Sequence, residues 1–245
     1  MPPELSIVIP AYNEESLLPS TLQSLQTALN GSGLVWEAIV CDNNSTDKTA
    51  GIAHTHGATV VFESHNQIAR ARNAGAQAAR GRWLLFLDAD TRINPRLAGL
   101  LLQAIHSGKT GAGGALVRFE AGQLPIIPRF FIAMWNCVSR VSRIAAGSFI
   151  FCTREAWVET GGFDESFYAG EEIFFSFRLK TWCRKQGLAF KILSEPVLTS
   201  ARKLHWHSEA KIWGALFRAA MPGAIKDRDR CAFWYKRPGE IKPMP

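Results

Sequence analysis

Five apolar residues, Trp83-Leu84-Leu85-Phe86-Leu87, stop at two carboxylates one residue apart, Asp88 and Asp90. A continuous apolar run of this length, ended by acid, is the pattern of a central strand buried on both faces whose carboxyl end opens into a site. Residues i and i+2 of extended chain point the same way, so the two carboxylates converge on one object where open α/β sheets gather ligands. Hard oxygen donors of this kind suit Mg²⁺ or Mn²⁺, which keep some waters and share other positions with substrate phosphates. The structural alternative is that Asp90 caps the helix approached through Asn94-Pro95 while Asp88 merely ends a strand.

A chain of 245 residues, 47% hydrophobic and 20% charged, has the length and composition of one α/β domain with a sizeable core. No apolar run reaches the roughly 18 residues a membrane span needs. Met1-Pro2-Pro3-Glu4 leads straight into a strand without a basic or apolar leader, so a cytoplasmic location is expected. The five cysteines are widely spaced, which opposes a disulfide framework and a zinc ribbon. The net charge of +7 is uneven: residues 202–245 hold ten Lys and Arg against four Asp and Glu. Such a basic extension suits the anionic inner face of a membrane or a phosphorylated substrate, with a solvated surface as the plainer reading; a nucleic-acid partner is not expected.

Leu5–Pro10 reads as a strand, Ala11–Glu15 as a loop, and Leu18, Leu22, Leu25 and Leu29 as one helix face, with Pro19 in a first turn that begins near Ser16. Trp36–Asp42 is a second strand ending in acid, followed by the polar turn Asn43–Asp47, and Thr59–Phe62 is a short third. Ile68–Ala79 is helical in propensity and carries Arg70, Arg72 and Asn73 toward the central strand. Pro95–His106 reads as a helix and Gly113–Arg118 as a strand. Leu124–Val141 is aromatic and apolar, an internal helix or a membrane- or acceptor-facing one. A strand at Ser148–Thr153, a helix at Glu155–Thr160 and a helix opening at Gly170-Glu171-Glu172 complete the reading. The alternation implies a mostly parallel sheet with helices on both faces.

Ser6–Glu14, Asp42–Asp47, Arg72-Asn73-Ala74-Gly75, Leu87–Asp90, Gly161-Gly162-Phe163-Asp164 and Gly170-Glu171-Glu172 stand in the order and spacing of family 2 glycosyltransferases, and about residues 5–200 resemble that family. It is most similar to small members without membrane spans whose end carries a run such as Thr199-Ser200-Ala201-Arg202. The resemblance implies a GT-A fold over residues 1–200, with a nucleotide-sugar half to about residue 118, an acceptor half over 119–200, and a basic extension over 201–245. It implies a UDP- or GDP-sugar donor, with Pro10, Tyr12 and Glu14 lining the nucleoside and Asp42 accepting from the base. Asp88 would hold the ribose and Asp90, with Asp88 beside it, the Mn²⁺ or Mg²⁺. Arg70 and Arg72 would bring positive charge to the diphosphate, or else pair with carboxylates inside the site. His205, or His207, would be a further metal ligand, as late histidines are in such enzymes, or a solvated loop residue.

The family's Glu-Asp is here Glu171-Glu172, with Glu172 at the position of the catalytic base. An extra methylene moves a base by about 1 Å, so the pattern leaves either Glu able to act. The expected reaction is sugar transfer with inversion to an acceptor hydroxyl or phosphate, lipid-linked or part of a polysaccharide precursor. A binding module that has lost its chemistry is the competitor. A sugar nucleotidyltransferase would want a glycine-rich phosphate loop after the first strand, and Pro10–Glu15 has no glycine.

Overall fold

A computed structural model of the protein describes residues 2–120, 134, 136–202 and 224–231. Side-chain alternation builds its sheet. In β1 (Leu5–Ala11), Leu5, Ile7 and Ile9 face one core and Val8 the other; in β4 (Trp83–Leu87), Trp83, Leu85 and Leu87 face the first, Leu84 and Phe86 the second. Apart from Ser6, these strands are apolar throughout because helices cover both faces. The first face is covered by α1 (Leu18–Leu29), α2 (Thr49–Thr55) and α4 (Pro95–His106). The second is covered by α3 (Ile68–Ala78), α5 (Arg154–Thr160) and α6 (Glu171–Lys185).

The remaining strands are β2 (Trp36–Asp42), β3 (Thr59–Phe62), β5 (Thr91–Arg92), β6 (Thr110–Phe119), β7 (Phe149–Thr153) and β8 (Ala189–Thr199). They lie in the order β3-β2-β1-β4-β7-β6-β8-β5. From β3 to β4 the sheet is parallel, as the strand-helix alternation predicts. Beyond β4 it is mixed, because β7 runs antiparallel to both β4 and β6, and β5 antiparallel to β8. The reversal brings the start of β7, rather than its end, beside the carboxyl end of β4.

Helix α4 occupies the range its periodicity predicts, and the side chain of Asn94, not of Asp90, caps it by accepting from Leu97 N at 2.8 Å. Helix α1 begins at Leu18, two residues later than expected, because Glu14 O takes up the backbone N–H groups of Leu17 and Leu18. The strands β5 and β8 are not foreseen by the pattern: Pro196 interrupts β8, and it falls where the register with β6 slips between Ala115 and Leu116. Of the aromatic stretch 124–141, residues 136–141 are helical, in a helix that runs on to 142, and residues 124–133 and 135 lie outside the described set.

Two packing details set the height of α3 over the sheet. A methyl group on Gly75 would stand 2.5 Å from Val8 Cγ1, so only glycine lets the helix lie this close to β1. Below it, Phe86, Phe163 and Phe175 meet with ring centroids 4.9, 6.1 and 4.2 Å apart, closing the second core beneath Arg72. No helix among the described residues is long and apolar enough to cross a membrane.

Candidate active site

The carboxyl ends of β1 and β2 meet at Ala11 and Asp42, and the loops after them are stitched together. Asn13 adopts the left-handed conformation that asparagine tolerates (φ 52°), and its Oδ1 accepts from Thr46 N at 2.7 Å. Asn13 N donates to Ser45 Oγ, Glu14 N to Thr49 Oγ1, and Asp42 Oδ1 accepts from Ser45 N, at 2.9, 2.8 and 3.1 Å. Pro10, Tyr12, Glu14 and Asp42 therefore share one rim, with only Tyr12 appreciably exposed. These are the residues expected at a nucleoside.

The Thr199-Ser200-Ala201-Arg202 run folds back across this end of the sheet. Thr91 Oγ1 donates to Thr199 Oγ1 at 3.0 Å, Ser200 N to Asp90 O at 3.1 Å, and Arg202 Nη2 reaches both oxygens of Glu14 at 2.7 Å. Arg202 is thereby joined to the rim that Glu14 shares. The expected ligand His205, with His207, lies outside the described residues.

Arg72 is the centre of the arrangement. It is 2% exposed, and a buried guanidinium is tolerable only if paired. Nη1 donates to Glu171 Oε1 at 2.7 Å, and Nη2 to Asp88 Oδ1 at 3.0 Å and to Gly147 O at 2.9 Å. The guanidinium lies 5.1 Å from the Phe163 ring centroid. Arg72 thus ties the end of β4 to the start of α6. Arg70, two residues away and so on another side of α3, pairs with Glu165 at 3.1 Å and Glu63 at 3.5 Å and does not join the carboxylates of the site.

The next residue, Asn73, explains why two separated motifs occur together. Its Nδ2 donates to Phe163 O at 2.8 Å and Glu165 Oε1 at 3.0 Å, while its Oδ1 accepts from Phe163 N at 2.9 Å. The Gly161–Asp164 turn is thereby clamped to α3. Asn73→Ala is expected to cost about 2 kcal/mol, since it strands a buried N–H and C=O, and to be read as a lower urea midpoint at unchanged slope.

Glu171 and Glu172 open α6 after Gly170, whose φ of 74° glycine supplies without strain. Glu171 is 3% exposed and held by Arg72. Glu172 is pushed up to about 7, first by loss of water around its carboxyl and then by the neighbouring Glu171, with Arg72 opposing. The enclosure involves Gly147, on which a methyl group would fall 3.4 Å from Glu172 Cδ and 3.2 Å from Arg72 Nη2. Nothing in the sequence pattern singled out Gly147, because its role is one of close backbone approach.

Asp88 and Asp90 are both partly exposed at the end of β4, and Asp90 Oδ1 has Thr91 Oγ1 at 3.5 Å. Among the described residues no group of three or more His, Cys, Asp and Glu side chains stands ready to hold a metal. The available donors are carboxylate oxygens, which fit Mg²⁺ or Mn²⁺, ions that fill the rest of their shell with water and phosphate oxygen.

Residues 6–161 match the family described as Glycosyl transferase family 2. An uncharacterized glycosyltransferase of Haemophilus influenzae is 36% identical over 106 residues, 42% of this chain and 34% of its own length. The dolichyl-phosphate beta-glucosyltransferase of Drosophila melanogaster is 38% identical over 101 residues, 36% of this chain and 31% of its own. The matched region thus spans about a third of these relatives' length. The structure of S. aureus TarS 1–349 superposes with a TM-score of 0.65 at 18% identity, covering 95% of this chain and 70% of that one. Glucosyl-3-phosphoglycerate synthase from Mycobacterium tuberculosis, in complex with Mn²⁺, UDP and glucosyl-3-phosphoglycerate, superposes at 0.61 and 21% identity, covering 94% and 80%. At those identities the likeness is one of fold, and it is the GT-A fold that the order of motifs implied. With its family match extending from β1 through α5, over more than half of its length, the chain belongs to glycosyl transferase family 2.

Proposed function

We propose that this protein transfers a sugar from a nucleotide-sugar donor to an acceptor hydroxyl or phosphate with inversion, using Glu172 as base. The observation that carries the reading is the division of labour between the paired glutamates. Glu171 is committed to Arg72, whereas Glu172 is the carboxyl whose proton affinity sits near neutrality. In this reading Glu172 takes the acceptor's O–H proton as its oxygen attacks the anomeric carbon, and the bond from that carbon to the diphosphate breaks with its electron pair leaving on phosphate. Arg72 positions the two halves of the site, since it holds Asp88 on the donor side and Glu171 on the acceptor side.

Asp90, with Asp88, would hold a divalent cation, whose chemistry is to neutralise charge developing on the departing diphosphate. Support for a metal and for these donors comes from the fold neighbours: one is described with GDP-Man and Mn²⁺, others with UDP-GlcNAc or with UDP-Glc and Mn²⁺. Calorimetry of UDP and GDP binding in Mn²⁺ and in EDTA tests the assignment. The parent is expected to lose affinity on the order of tenfold or more in EDTA, about 1.4 kcal/mol, and Asp90→Ala to bind equally weakly in both. Equal affinity of the parent in both solutions, or an unchanged metal effect in Asp90→Ala, refutes it. Donor hydrolysis by the same protein separates an enzyme from a binder.

A further inference from the structure

Helix α6 is apolar on two sides, which a helix lying on a sheet does not require. Phe175 and Leu179 enter the core, while Phe174 and Phe177 are exposed. Beside it the helical residues 136–142 expose Val138 and Val141, the latter 81%. The two segments form one surface: Lys180 Nζ donates to Ser142 O at 2.5 Å and lies 5.6 Å from the Phe177 ring centroid. Arg143, Phe177, Lys180 and Arg184, with Leu188 and Phe190, line a depression of about 500 Å³ beside α6.

The charge of this face is as one-sided as its polarity. Residues 136–153 and 173–191 contain seven Lys and Arg and no Asp or Glu. The first 201 residues together hold 18 Lys and Arg against 17 Asp and Glu, so the rest of that length is net −6. Exposed Phe and Val grouped among Arg143, Lys180 and Arg184 are unfavourable in water and suited to an anionic interface, where aromatic rings settle at head-group depth and cations meet phosphates. A second copy of the chain is a poor occupant, because it would set basic surface on basic surface. A polyanionic polymer would use the cations and leave Val141 and Phe177 without purpose.

We propose that the outer face of α6, with residues 136–143, seats this protein on an anionic lipid bilayer. Because Glu172 lies in the first turn of α6, the seated face runs away from the proposed base, and a lipid-borne acceptor would arrive from the same side. That last clause rests on the proposed reaction, and the seat does not.

Full-length protein is sedimented at low salt with phosphatidylcholine vesicles, with and without phosphatidylglycerol. Binding is expected only to the anionic vesicles. Val141→Ser combined with Phe177→Ser is expected to lower vesicle affinity roughly tenfold, as is Arg143→Glu combined with Arg184→Glu, whereas Arg228→Ala with Arg230→Ala on the exposed residues 227–230 leaves it unchanged. Donor hydrolysis in solution by each variant verifies that it is folded. The proposal is overturned if full-length protein ignores anionic vesicles, or if both variants of the face sediment like the parent. It is also overturned if only the charge changes matter, which would mark a polyanion site. If vesicle binding follows the expected pattern but no variant nor the parent turns over any donor, the seat stands and the proposed reaction fails.

Discussion

Glu172→Gln is expected to lower turnover by about a hundredfold to ten-thousandfold while leaving nucleoside diphosphate affinity within about twofold, because a base acts on the acceptor's proton and not on the donor. Rate measurements across pH add a second signature. With its carboxyl pushed up to about 7, the parent's kcat/KM should climb as pH rises through that value, and the limb should vanish in Glu172→Gln. A limb near the ordinary carboxylate range, or one that survives the substitution, excludes Glu172 as the base; a limb lost in Glu171→Gln but not in Glu172→Gln would move the role by one residue. The same shift has a consequence for stability. A carboxyl whose proton affinity is raised by folding favours the native state while protonated, so the contribution is complete below about pH 4.5 and lost as pH rises to about 7. Glu172→Gln is therefore expected to match the parent near pH 4.5 and to be the more stable above pH 7, by on the order of 1–3 kcal/mol, as read by urea unfolding.

Replacing Arg72 by Met should produce the largest loss of stability of any single change in the site, about 3–5 kcal/mol, since Glu171 would be left buried with its charge uncompensated. For a domain of this size that amounts to roughly 10 °C in Tm. The cause can be isolated. Glu171→Gln removes the stranded charge, so the double variant Arg72→Met/Glu171→Gln should be less destabilised than the sum of its parts. Additivity within about 0.5 kcal/mol would show that the ion pair is not what Arg72 contributes. Where the single variant stays folded at low temperature, its kcat/KM limb should lie at higher pH than the parent's, because Arg72 holds the Glu172 proton affinity down.

The parallel part of the sheet was legible because each of its signals is local. Trp83–Leu87 running into Asp88 states a strand and its open end in one stretch, and the strand-helix alternation through Pro95–His106 needs no knowledge of what packs against it. The arrangement around Arg72 was legible only as alternatives, since a buried arginine and a phosphate-binding one have the same letter; which carboxylates surround it depends on how closely Gly75 lets α3 approach β1. Arg70 and Arg72 look equivalent in sequence and are separated by the turn of one helix. The strand β8 was hidden by Pro196, and Gly147 by having no side chain to read. Both matter through contacts made with residues far along the chain, which periodicity does not encode.

The pairing of β5 with β8 has a consequence for the order in which the protein becomes competent. Thr91 and Thr199 are 108 residues apart, and their contact flanks the turn that carries Asp90. Long-range pairings of this kind are the slow part of a folding search, whereas β1 to β4 join through short parallel units that form early, during synthesis from the amino end. The rim of Pro10, Tyr12, Glu14 and Asp42 is thus assembled well before Ser200 reaches Asp90 and Arg202 reaches Glu14. A growing chain passes through a stage in which it has β1 to β4 but not β8, so the end of the sheet that carries Asp90 is completed only when almost all of the strands have been made.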